Sequence, residues 1–214
     1  MNSNLQYPER KIYLSSYYPL IQNKAGREAA NAFNIPRFVD GSCRREPDFE
    51  SRFPSISALC HGRNFAPRLL EGDIIVYITH KGPYLGAQEH HWRLTAVLEV
   101  FKRFESHVAA ARWYVTRGLS RPRNCMVEGN PPLPREKTVA RWPIKSWDRF
   151  YRMRARQCGV FLACKPRYLE LHNPPEITEG MMSQVFKRIP GTRNPPAISL
   201  EQFCRLMAQL GLNV

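Results

Sequence analysis

The sequence is short of acid. Against 32 Lys and Arg it carries 18 Asp and Glu, a formal net charge of +14. A field of one sign repels cationic partners and draws polyanions, speeding encounter with them. Long apolar runs are also missing. The longest, Ile74-Ile75-Val76-Tyr77-Ile78, is strand-length and far below the roughly 18–20 residues of a membrane span. Residues Met1 to Arg10 are polar and hold no apolar core of a secretory leader. The six cysteines, Cys43, Cys60, Cys125, Cys158, Cys164 and Cys204, contain no CxxC pair. Cys60-His61 and His90-His91 are adjacent, which is not zinc-site spacing. Gly-rich phosphate loops of the GxxxxGK or GxGxxG kind are absent. These gaps lead us to expect a reduced, cytoplasmic chain with no membrane partner, no metal and no cofactor.

What is present is ordinary globular composition, 43% hydrophobic over 214 residues. Such a length buries a core without disulfides. Lys11 to Leu14, Ser55 to Cys60, Ile74 to Thr79, Leu94 to Val100 and Val160 to Cys164 have strand character. The strands at 74 and 94 are joined by a short polar loop, which predicts antiparallel neighbours. Helices are expected over Asn23 to Phe33, after Ser106, after Ser146, near Thr178 to Arg188, and after Ser199. Ser199 with Gln202 has the capping-box spacing. Trp147, Phe150 and Tyr151 are expected to face inward on the helix after Ser146, and Trp113 on the one before it. Residues 36–54 and 119–143 read as long loops, the latter Pro-rich. No internal repeat or linker divides the chain, so one α+β domain spanning 1–214 is expected.

Basic residues cluster. Lys145, Arg149, Arg152 and Arg156 lie three or four apart and share one helix face. That stripe, with Arg63 and Arg68 in the loop Cys60 to Arg68, makes a candidate phosphate-binding set. Aromatic side chains interleave with these charges, as a stacking platform for bases needs. Trp92 and Trp142 lie at a strand start and in a loop, where a ring can line a pocket. A nuclease reading would draw on Asp48 or Asp73 with Glu99 and Lys102. Glu99 and Lys102, however, fall on opposite faces of one strand. A thiol nucleophile at Cys60 or Cys125 has no local motif to mark it. The segment Ser120-Arg121-Pro122-Arg123-Asn124-Cys125 is distinctive and has no assigned role.

The run Phe65-Ala66-Pro67-Arg68-Leu69-Leu70-Glu71-Gly72-Asp73-Ile74-Ile75-Val76-Tyr77, followed by Arg93 to Val100, resembles the core of the PUA-like superfamily. That group includes ASCH, EVE and YTH domains and nucleotide-modification-associated domains. The resemblance covers about a sixth of the chain. It implies a small mixed or antiparallel β-barrel flanked by helices, with a core at about 10–104 and a C-terminal helical extension. It also implies a nucleobase pocket, here at Cys60, Asn64, Phe65, Tyr77 and Trp92. The expected function is a nucleic-acid-binding module that recognises a nucleobase, modified or not, in DNA or RNA. The alternative is a nucleotide- or nucleic-acid-modifying enzyme or nuclease, and the residues leave catalysis open.

Overall fold

The computed structural model of the chain describes residues 10–59 and 64–214. They form a mixed α+β fold around one sheet. The strands are β1 (Ile12–Tyr17), β2 (Ser55–Ser57), β3 (Ile74–Thr79), β4 (Trp92–Phe104), β5 (Phe161–Leu169), β6 (Glu176–Ile177) and β7 (Ala197–Ile198). Their order is β2-β5-β4-β3-β1-β7, with β6 paired to one end of β4. As expected, β3 and β4 are antiparallel, Ile75 facing Leu98 and Val76 facing Val97. β1 runs parallel to β3. The pairings leave the sheet open, where the resemblance implied a closed barrel: among the described residues no ladder joins β2 to β7. The stretch beyond residue 104 supplies β5, which lies between β2 and β4, so the sheet is incomplete without it.

Alternation along the central strands sends apolar side chains to both faces. Tyr13, Tyr17, Ile75, Tyr77 and Leu98 meet Phe49, Ile56 and Phe65 on one side. Ile12, Leu14, Val76, Ile78 and Val97 meet Met182, Phe203 and Leu206 on the other. The latter come from α4 (Glu179–Val185) and α5 (Leu200–Gln209). A sheet buried on both faces reads in sequence as a continuous apolar run, which is why Ile74 to Ile78 looks as it does.

Local signals account for the helix ends. Asn23 accepts the Gly26 N–H at the start of α1 (Lys24–Ala32). Ser106 accepts the Ala109 N–H at the start of α2 (His107–Val115). Ser199 and Gln202 form the reciprocal capping box of α5. Gly118 and Gly211 follow their helices at φ of 67° and 66°, left-handed positions that glycine takes without steric cost. The helix α3 (Ile144–Gln157) starts earlier than expected. Pro143 precedes it and Ser146 lies within its first turn, its N–H bonded to the Pro143 carbonyl. Proline is suited to a helix start because its missing N–H is not needed there. On α3, Trp147 and Tyr151 turn inward, but Phe150 is exposed under the Arg154 guanidinium, 4.4 Å away.

Candidate functional site

The site grows from a loop that runs through the interior. Residues 38–49 are all buried, yet they belong to no named strand or helix. They carry Asp40, Arg44, Arg45, Glu46 and Asp48. Burial of a charge is costly unless it is paired and hydrogen-bonded. Here the bonds are made. Asp40 Oδ1 accepts the N–H groups of Ser42 and Glu46 at 2.9 and 3.0 Å. Arg45 donates to the Asp40 carbonyl at 2.5 Å, the Lys137 carbonyl at 3.1 Å and the Glu50 carboxylate at 3.2 Å. Asp48 accepts the Arg123 N–H at 2.5 Å and the Glu50 N–H at 2.9 Å. Glu46 accepts the Ser57 N–H at 2.9 Å and the Asn124 amide at 3.0 Å. Arg45 itself holds a left-handed φ of 47°, a conformation that costs a side-chain-bearing residue about 1–3 kcal/mol and persists where surrounding bonds fix it.

One side of this loop walls a cavity of about 1050 Å³, the upper range for a small-molecule site. Asp40, Ser42 and Glu46 reach it from the loop. Because β1 and β3 are parallel, their carboxyl ends open on the same side, delivering Tyr17 and Tyr18 from one and His80 from the other. Tyr18 and His80 stack face to face, ring centroids 3.8 Å apart at 7°. The His80 carbonyl is held by the Tyr84 hydroxyl at 2.6 Å. A second aromatic group comes from α3 and its approach. Trp142 and Trp147 lie 5.5 Å apart, and Trp147 stacks on Tyr151 at 6.1 Å and 25°. Trp142 is 53% exposed. Arg154 lines the cavity beside them and donates to the Leu59 carbonyl. Thr192, Arg193 and Asn194 complete the rim, with Thr192 bonded to Ser16 at 2.5 Å.

Burial shapes the acids. It pushes the Asp40 carboxyl up to about 6 and the Glu46 carboxyl up to about 8, with donor bonds opposing the rise only in part. The cavity therefore offers flat π faces, with two buried carboxyls in its wall and a guanidinium at its edge. Comparison with family models, curated proteins and solved structures returned no match. The chemistry of the site has to be read from the side chains themselves.

The expected pocket residues separate. Asn64 lines the cavity. Phe65 and Tyr77 are core side chains, 2% and 0% exposed, packed edge-on against Tyr13 and Tyr17. Neither ring presents a face to a ligand. Trp92 belongs to the cluster on the other face of the sheet, with Lys81 5.0 Å over its ring. Cys60 and Arg63 lie outside the described residues. Arg68 braces the rim, donating to the Asn194 side chain and the Pro195 carbonyl, both at 3.2 Å. The stripe Lys145, Arg149, Arg152 and Arg156 does share one face of α3, but that face is about half a turn from Trp147, Tyr151 and Arg154. Arg152 is already paired with Asp148 at 2.8 Å.

The acids weighed for a nuclease have structural partners. Asp73 clamps the turn before β3 by accepting the Lys11 and Leu70 N–H groups at 3.0 and 2.9 Å. Glu99 is ion-paired with Arg167 on β5. Sequence reasoning did single out Trp142. It counted Arg154 only among the basic residues of the α3 region, and it passed over Tyr18, His80, Asp40 and Glu46. One trace of the last two was legible: charges of both signs at 40–48, between the apolar pair Phe38-Val39 and Phe49, mark a loop that is not merely surface.

Proposed function

We propose that the chain is a nucleic-acid-binding module that takes a single nucleobase, presented by DNA or RNA, into the cavity beside the buried loop. The observation that carries this reading is the convergence of Trp142, Trp147 and Tyr18–His80 on one cavity with Glu46 and Asp40 in its wall. Rings recover the few kcal/mol spent in unstacking a base, and polar groups on the cavity wall read its edge. A carboxyl accepts from ring or exocyclic N–H groups, and a protonated one donates to a ring nitrogen or carbonyl. The net charge of +14 supplies the long-range attraction. Arg154 and Arg193 at the cavity, and Lys145, Arg149 and Arg156 along the outer face of α3, are the phosphate partners of the strand. A PUA-like ancestry is part of this proposal. Its support is the strand-turn-strand motif around Gly72-Asp73, and the open sheet is its departure from the expected barrel.

Titration of short single strands that differ only in one central base, followed by tryptophan emission at two salt concentrations, tests the reading. Affinity should depend on that base and fall steeply with salt. Trp142→Ala should lose about 1–3 kcal/mol of binding, the worth of one stacked base, while Trp92→Ala should leave affinity unchanged. Equal affinity for every base, or for Trp142→Ala and the parent, would sink it.

A second reading rests on the same two carboxyls. Raised values at about 6 and about 8 inside a cavity suit proton transfer near neutral pH, so the chain would act on the base it binds. Turnover of a nucleotide or oligonucleotide that Glu46→Gln abolishes would favour it.

A further inference from the structure

The buried loop walls a second hollow. Asp40, Ser42 and Glu46 face the aromatic cavity, whereas Arg45, Asp48 and Glu50 line a separate cleft of about 900 Å³. The remaining charges of that cleft are Arg52, Arg121, Arg123 and Lys137, so five cations stand against two acids. Glu50 is spent on Arg45 at 3.2 Å, and Asp48 on backbone N–H groups. Among the described residues, Arg52, Arg121 and Arg123 have no acidic partner. The contact made by the Arg121 side chain is a 3.4 Å approach to the Glu128 carbonyl. Guanidinium groups gathered without counter-charge repel one another, and a bound anion removes that cost.

The backbone that presents them is fixed. The Arg123 N–H is held by Asp48 at 2.5 Å, and its carbonyl accepts from the buried Arg44 at 3.3 Å. The Pro122 carbonyl accepts the Asn130 amide at 2.8 Å. Proline further restricts the turn between the two arginines. Arg121 and Arg123 thus flank a pinned residue, with exposed side chains free to meet a ligand. This gives the Ser120–Cys125 segment, so far without a role, a physical one.

We propose that this cleft is a phosphate-binding site separate from the aromatic cavity. Its ligand chemistry is that of closely spaced phosphates, which guanidinium forks grip in pairs. Those phosphates come from a nucleic-acid strand or from a free nucleoside polyphosphate. The site stands without the base-binding reading, because none of its arginines lines the aromatic cavity.

Two probes lacking a base remove the aromatic cavity's stacking from the measurement: a fluorescently labelled abasic oligodeoxynucleotide, read by anisotropy, and inorganic triphosphate, read by calorimetry. The full chain should bind at least one. The double variant Arg121→Gln/Arg123→Gln should weaken that binding at least tenfold, and Trp142→Ala should leave it unchanged. Loss with the abasic strand assigns the site to strand phosphates, and loss with triphosphate alone to a free polyphosphate. Should the double variant fold poorly, Arg52→Gln, outside the pinned turn, should still weaken binding severalfold. Absence of binding by the parent chain to either probe, or unchanged affinity in all these arginine variants, would overturn the proposal.

Discussion

The Arg44 guanidinium, fully buried in the interior loop, places its Nε 2.6 Å from Oδ1 of Asp148 on α3. It also donates to the Asn130 carbonyl at 2.8 Å. One side chain therefore ties together the loop that carries Glu46, the helix that carries Trp147 and Tyr151, and the segment that carries Arg123. Both hollows depend on these three elements. Burial lowers the Arg44 proton affinity and Asp148 opposes that loss.

Removing one partner should cost more than the pair contributes. Asp148→Ala leaves an uncompensated guanidinium in the interior, and such losses run to about 3–5 kcal/mol. Urea unfolding should show it as a lower midpoint. The double variant Arg44→Met/Asp148→Leu removes both charges and should cost clearly less than the two single changes added together. Additive costs would mean that the two residues do not act on one another.

Glu46 should give the protein an inverted pH dependence. Its carboxyl titrates at about 8 when folded, against an ordinary value of 4.5. The folded chain then holds the proton more tightly than the unfolded chain. The stabilisation is complete below the ordinary value and is lost as pH rises through about 8. Asp40 and Asp48, each raised to about 6, act in the same direction at lower pH. His80 and His107, both lowered by burial from an ordinary 6.5, act in the opposite direction up to about that pH, so the window from pH 7 to pH 8 is the one that isolates Glu46. Thermal midpoints of the parent should fall across that window, and those of Glu46→Gln should stay nearly level. Parallel curves for the two proteins would contradict a neutral buried carboxyl.

How much of this was legible in the sequence depends on the range of the interaction involved. Ile74–Thr79 as a strand, its antiparallel partner, and the caps at Ser106 and Ser199 are short-range matters of periodicity and local hydrogen bonds. They read correctly. The parallel pairing of β1 with β3 and the insertion of β5 between β2 and β4 are long-range, and no local pattern encodes them. The two-residue strands β6 and β7 exist only because a neighbour supplies their partners. The site followed the same rule. Trp142, in a loop with no apolar face to join, could be picked out. Phe65 and Tyr77 have the same chemistry as a stacking platform, and only packing decides that they are core. Arg154 lies within a run of arginines, and helix phase alone sets it apart from Arg152 and Arg156.

That phase makes a final prediction. Lys145, Arg149 and Arg156 share the outer face of α3, while Arg154 shares the cavity face with Trp147 and Tyr151. A residue that meets only phosphate weakens binding to all sequences alike and contributes about one unit to the salt slope. Arg149→Gln and Arg156→Gln should each lower affinity for every oligonucleotide by a similar factor and flatten the plot of log affinity against log salt by about one unit. Arg154→Gln should behave differently. Arg154 lines the aromatic cavity, so the change should alter the ranking of central bases as well as the overall affinity. Identical profiles for all three variants would mean that both faces of α3 meet the ligand through charge alone, and the aromatic cavity would then have no part in choosing it.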